Sequence, residues 1–211
     1  MWMGRTLALT SPVVLTLSGC GMAVMAAGAS SDKKWVGPTI RAPQGGQVQT
    51  TIYYGPWKCS QAWMDRCQGK CAAEQHTLKG CIWLADIKTD WQTRFALFPI
   101  YAGGRLAITY CCCDYPKAPD VKSRRAKWEA VMRSFRKKWG EEFGEWPTDA
   151  DGNNWHGHHI RDLGHGGDPT AEFNVLPVSP NTHDDFTDAY PACYAGQGGW
   201  NTVGPDHPYE D

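Results

Sequence analysis

The sequence predicts an α+β protein in two parts: a small disulfide-tied amino-terminal unit, then a long helix leading into a compact histidine-bearing module. Three observations predict it. Seven cysteines interleave with short β-branched and aromatic runs between residues 51 and 114. An apolar rhythm of three- and four-residue steps runs through residues 121–143. Four of the chain's seven histidines fall within residues 156–165.

The first element is a processing segment. Arg5 is the only charged residue before Asp32, and residues 7–17 form an apolar stretch of signal-peptide length, too short and too interrupted by Pro12 to span a bilayer. It closes on Leu17-Ser18-Gly19-Cys20, which resembles the lipobox of bacterial lipoproteins and implies a signal peptide over residues 1–19 and a lipidated Cys20. More than one acyl chain, each methylene contributing about 0.8 kcal/mol, would then hold the protein on a membrane. Plain secretion with a cut near Ala27 or Ala29 and a misassigned start are the alternatives. Residues 20–50, rich in Gly, Ala, Ser, Pro and Gln, read as a tether that ends in a strand.

Of nine cysteines, eight lie beyond Cys20: Cys59, Cys67, Cys71, Cys81, Cys111, Cys112, Cys113 and Cys193. In an exported chain they predict disulfides. A zinc site on Cys59, Cys67, Cys71 and Cys81 is the alternative, although paired CxxC knuckles are lacking. The three consecutive thiols must diverge to different partners.

Residues 51–114 read as a cysteine-rich α+β unit. Residues 51–54, 95–101 and 105–110 are strand-like, Gly103-Gly104 turns into the last of them, and residues 60–73 form a helix with Trp63, Cys67 and Cys71 on one face. Trp57, Trp63, Trp83 and Trp91 read as core and groove fillers. Pro116 and Pro119 mark a joint.

In the helix over residues 121–143, Trp128, Val131, Met132, Phe135, Trp139 and Phe143 share one face. The rest carries eight Lys and Arg against three Glu, a surplus of five in a chain whose net charge is only -1. A solvated face explains that stripe; so does phosphate attraction, which acts by counterion release without reading bases. Residues 184–211 carry six acidic residues and no Lys or Arg, so this tail lies away from any polyanion path, serves another partner or is a disordered end.

The histidine cluster carries the chemistry. Core histidines occur singly, and four in ten residues are poorly explained by packing. A merely metal-sticky histidine tract is the bland alternative. Adjacent strand residues point to opposite faces, so of His158 and His159 one binds metal while the other faces substrate. Asn174 supplies an amide able to pin a loop or imidazole, and Pro180-Asn181-Thr182-His183 reads as a helix start that returns His183 to the metal. His156 and His165 read as loop residues or auxiliary ligands.

These residues resemble the HNH, or ββα-metal, endonucleases, most closely the nuclease domains of colicin-type bacteriocins. The His158-His159 pair, Gly166-Gly167, Asn174 and His183 carry the resemblance, with 24 residues from His159 to His183 and nine from Asn174 to His183. It spans about residues 128–189, and the helix bearing Trp128 and Trp139 resembles the one that precedes the site in those enzymes. It implies a ββα-metal module within a nuclease domain over residues 115–211, with His158 and His183 as metal ligands, His159 as general base and Asn174 orienting it across the hairpin. Where the family pattern has a further histidine, this chain has Thr187; water or a carboxylate from Asp184 or Asp188 would complete the ligation. One divalent ion, Mg2+, Mn2+, Ni2+ or Zn2+, is implied. Arg161 is the candidate grip on the scissile phosphate, with a structural salt bridge as its alternative.

The expected activity is hydrolysis of DNA, with RNA as a second candidate substrate, and little sequence specificity. Export joined to such a module points to an antibacterial toxin delivered to competing or kin cells from an outer-membrane or surface lipoprotein. It would act in the recipient's cytoplasm, be neutralised in siblings by a cognate immunity protein, and use residues 51–114 for delivery. A periplasmic or surface scavenging nuclease and a non-catalytic metal- or ligand-binding lipoprotein are the competing expectations.

Overall fold

The structure, a computed structural model, describes residues 31–41, 46–89 and 104–211. The expected signal peptide, the lipidated Cys20, Trp91 and the strand over residues 95–101 lie outside the described residues. Among the described residues, no helix is long and apolar enough to cross a membrane.

The chain is mixed α+β. Strand β1 (Lys34–Val36) is followed by a short pair, β2 (Ile40–Arg41) with β3 (Gln47–Val48), and then by β4 (Thr50–Lys58). Helix α1 (Gln61–Ala73) leads into β5 (Leu78–Thr89) and β6 (Arg105–Cys113). These build an antiparallel sheet in the order β1-β4-β5-β6. Residues 34–36, read from sequence as part of a tether, are thus the edge strand of the main sheet. The inner strand β5 has no counterpart among the sequence expectations. From Gly80 to Ile87 it is buried on both faces, so it lacks the alternation that marks a half-exposed strand, and Gly80 and Asp86 interrupt its apolar run.

Helix α1 buries Cys67 and Cys71 against the sheet, and Trp63 on the same face packs at 6.4 Å from Trp83. Four disulfides join Cys59–Cys81, Cys67–Cys111, Cys71–Cys113 and Cys112–Cys193. Cys67 and Cys71 are spent on β6, which rules out the four-thiolate zinc alternative. The consecutive cysteines divide because strand side chains alternate: Cys111 and Cys113 reach α1 on one face of the sheet, while Cys112 reaches the other.

Helix α2 (Val121–Phe143) has the limits its periodicity predicts and buries Phe135, Trp139 and Phe143. A hairpin of β7 (His156–His159) and β8 (Val175–Val178) follows, then α3 (Pro180–Tyr194). One core joins both halves of the chain. Ile52, Leu84 and Ile108 of the sheet, Trp139 of α2, Leu176 of β8 and Phe186 of α3 belong to a single buried cluster. That cluster crosses the boundary placed at residue 114, while a second, built on Cys59, Cys67, Cys71, Cys81, Trp83 and Cys113, lies almost wholly before it. Cys112–Cys193 bonds the sheet to α3 across it.

The acidic tail is ordered along the sheet. The Trp200 carbonyl accepts from Cys81 N at 2.8 Å, Tyr209 stacks on Tyr53 at 4.2 Å, and Asp211 pairs with Arg105 and Lys88. The Tyr209 hydroxyl donates to Asp86, a carboxyl whose pKa burial raises above the usual range.

Candidate functional site

The hairpin and α3 surround a cavity of ≈ 690 Å³ lined by His158, His159, His165, His183, Tyr190 and Tyr194, among others. Local sequence explains how each imidazole arrives. In β7, His158 and His159 pair with Leu176 and Val175 and diverge, as neighbours on a strand must. His158 turns toward α3, with Phe186 at 4.9 Å and Tyr190 at 5.5 Å between ring centres. His159 turns toward α2, edge-on to Trp128 at 5.2 Å. Gly157 permits that contact, since a Cβ there would meet the Trp128 ring at 2.5 Å. Ser179 caps α3 by accepting from Thr182 N, Pro180 occupies the first turn, and His183 follows. The rings of His158 and His183 come to 5.5 Å, and that of His156 to 4.8 Å from His183.

The hydrogen bonds set the tautomers. Tyr190 donates its one proton to the Ile160 carbonyl at 2.7 Å. His158 Nε2, 3.0 Å from the same hydroxyl, must therefore donate to it, which leaves the lone pair on Nδ1. His159 Nε2 lies 3.4 Å from the Pro169 carbonyl, an acceptor only, so its lone pair is also on Nδ1. Burial holds both imidazoles below the ordinary histidine range, His158 furthest; neighbouring imidazoles add to this at His158, while the Pro169 hydrogen bond, Asp162 and Asp168 oppose it at His159. His183 is lowered by burial and then by His156. All three are neutral at neutral pH, the form that binds a metal or takes a proton. His159 thus lies below the free value of about 6.5 expected for an exposed imidazole.

The Asn174 side chain bonds the loop backbone. Its Oδ1 accepts from Arg161 N at 2.7 Å, and its Nδ2 donates to Arg161 O at 3.2 Å and Asp168 O at 3.0 Å. The amide closes the loop between β7 and β8, and that loop presents the Pro169 carbonyl to His159. Orientation therefore runs through backbone. Gly166 adopts a left-handed φ of 85°, and a Cβ on Gly167 would overlap Arg161 O at 1.8 Å, so the Gly-Gly turn is a steric requirement of the same loop.

Arg161 is engaged by the loop and is not among the residues lining the cavity. Its guanidinium lies over the Tyr115 ring at 3.8 Å and its Nε donates to His165 O at 2.9 Å. The cations lining the cavity are Lys117 and Arg125, the second from the basic stripe of α2. Arg124 of that stripe is tied to Asp120 and the Gly167 carbonyl, and Lys138 pairs with Glu172. Thr187 lines the cavity one turn beyond His183, and Asp184 Oδ1 stands 3.9 Å from His183 Nδ1.

Among the described residues, no group of three or more His, Cys, Asp or Glu is arranged to hold a metal ion. The imidazoles that could hold one are His158 and His183, with ring centres 5.5 Å apart. His158 has a free lone pair and donates its other nitrogen to an oxygen, the arrangement typical of a ligating imidazole. Water would complete such a site.

Sequence reasoning missed the support from the amino-terminal half. Tyr110 of β6 hydrogen-bonds Tyr194, and Tyr194 OH donates to Asp162 Oδ2 at 2.7 Å. The only signal in the sequence was the position of Tyr110 and Tyr115 on either side of the triple cysteine. No protein-family model, curated protein or solved structure matches the chain.

Proposed function

We propose that the protein is a metal-dependent endonuclease of the ββα-metal kind that hydrolyses DNA phosphodiesters. The observation that carries the reading is the divergence of two adjacent neutral imidazoles into one cavity, with His183 of the following helix beside the first of them. His159 Nδ1 is the base that takes a proton from the attacking water, and the Pro169 carbonyl keeps its other nitrogen protonated. His158 and His183 would hold a divalent ion, which supplies charge stabilisation at the phosphoryl and leaving oxygens when bound. Lys117 and Arg125 attract the polyanion without reading its bases. The end of the acidic tail is strapped to the sheet through Tyr209 and Asp211.

Four disulfides support export, because such bonds persist in oxidising compartments. Together with the lipobox-like Leu17–Cys20 stretch, they support a membrane-anchored lipoprotein toxin passed to neighbouring cells and neutralised in siblings by an immunity protein. Residues 51–114 have a second role as the scaffold beneath the site, beside any part in delivery.

The test uses the full chain with its disulfides formed, incubated with plasmid DNA and with RNA under Mg2+, Mn2+, Ni2+, Zn2+ or a chelator. Cleavage is expected with metal only. His159→Ala should lower it by about 10²- to 10⁴-fold, and His158→Ala and His183→Ala should lose metal binding as well. Metal binding without cleavage under every ion rejects the nuclease in favour of a binding protein. A small neighbouring gene whose product neutralises the activity separates a toxin from a scavenger.

A further inference from the structure

We propose that His165, held by Asp162, is the proton donor to the leaving oxygen in this cavity. The proposal rests on the nuclease reading and adds a residue to it.

Asp162 and His165 stand three apart because a single 3-10 turn, Leu163–His165, follows the β7 strand. His165 Nδ1 lies 3.0 Å from both oxygens of Asp162. An ionised carboxylate only accepts, so Nδ1 carries a proton and Nε2 is the nitrogen left for the cavity. A ring protonated on both nitrogens, with Nδ1 bonded to Asp162, is the form that gives its Nε2 proton away.

The surroundings restrain this imidazole more than a surface loop requires. Its face stacks on Tyr194 at 3.6 Å, and its carbonyl accepts from Arg161 Nε. Asp162 is fixed in turn by the Tyr194 hydroxyl, and Tyr194 by Tyr110. Tyr194 gives its proton to Asp162, so Tyr110 is the donor to Tyr194, and the chain of bonds runs in one direction from the sheet to the carboxylate. Only 18% of the His165 side chain is exposed, and it lines the same cavity as His159.

Hydrolysis of a phosphodiester in water at neutral pH needs both a base and an acid. The water oxygen bonds to phosphorus as its proton passes to His159 Nδ1. The bond from phosphorus to the leaving oxygen breaks, and the His165 Nε2 proton passes to that oxygen. The products are a phosphate monoester and an alcohol, and a proton returned from His159 to His165 through solvent resets the pair.

A substrate whose leaving group needs no proton separates this role from a structural one. Rates are compared on DNA and on bis(4-nitrophenyl) phosphate, which expels a stable phenolate, for the wild type, His165→Gln, Asp162→Asn and His159→Ala. His165→Gln should lower DNA cleavage by about 10²- to 10⁴-fold and leave the nitrophenyl rate near wild type. Asp162→Asn should follow it with a smaller loss, and carries the comparison if the glutamine variant does not fold. His159→Ala should slow both substrates. If His165→Gln slows both substrates equally, or neither, the donor role is wrong. A wild type that cleaves neither substrate sinks the nuclease reading on which it rests.

Discussion

Removing the Cys112–Cys193 disulfide tests whether the two halves of the chain are one cooperative unit. The bridge spans 81 residues of sequence, and no other cysteine lies between residues 114 and 192 to shorten that loop. Loop-closure entropy for that length corresponds to about 4.5 kcal/mol at 25 °C, against about 3.4 kcal/mol for the 22-residue separation of Cys59–Cys81. For a chain of this size each kcal/mol moves the midpoint by about 2–4 °C. The Cys112→Ala/Cys193→Ala double variant should therefore melt about 9–18 °C below the wild type. Alanine is chosen because both positions are wholly buried and a serine hydroxyl would add an unpaired polar group. The assay follows near-UV circular dichroism of the tryptophans and far-UV signal together, with the three remaining bridges intact. A drop of only a few degrees, or two separate transitions in the wild type, would refute a core that spans the boundary at residue 114.

Three further outcomes follow from the site. Asn174→Ala leaves Arg161 N, Arg161 O and Asp168 O without their partner. Unfolding in urea should show a loss of about 1–3 kcal/mol, and DNA cleavage should fall although the Asn174 side chain bonds loop backbone. Gly157→Ala pushes a methyl into the Trp128 ring, and should cost about 1–3 kcal/mol through overpacking while displacing the ring that backs His159; tryptophan fluorescence and urea midpoints read both. The metal-free protein should lose stability as pH falls below about 6.5, because burial depresses His158 and His159 in the folded state while the unfolded chain takes up their protons. Each buried imidazole contributes a slope of at most about 1.4 kcal/mol per pH unit. Urea midpoints should decline from pH 7 to pH 5, less steeply in His158→Asn, and a flat profile would show that neither imidazole is held neutral.

Much of this was legible in the residues. Helix α2 declared its limits because its apolar positions recur at helical spacing and Pro116 and Pro119 precede it. His158, His159 and His183 line one cavity because strand alternation, hairpin pairing and a capped helix start are all local devices. The sequence left open what Arg161 and Asn174 each bind, a phosphate or a salt-bridge partner for the first and a loop or an imidazole for the second, for one reason. What a guanidinium or an amide bonds depends on which ring or carbonyl stands beside it, and those neighbours, Tyr115 and the folded-back loop, are set by packing.

The sequence by itself determined the local periodicities, the oxidised character of the chain and the clustering of imidazoles, because each depends on residues near one another along the backbone. Only the tertiary structure decided that β5 lies inside the sheet between β4 and β6, how the cysteines divide and that Tyr110 braces Asp162 through Tyr194. Those facts join residues as much as 84 positions apart, and such pairings are fixed by how one shared core closes, which no local pattern encodes.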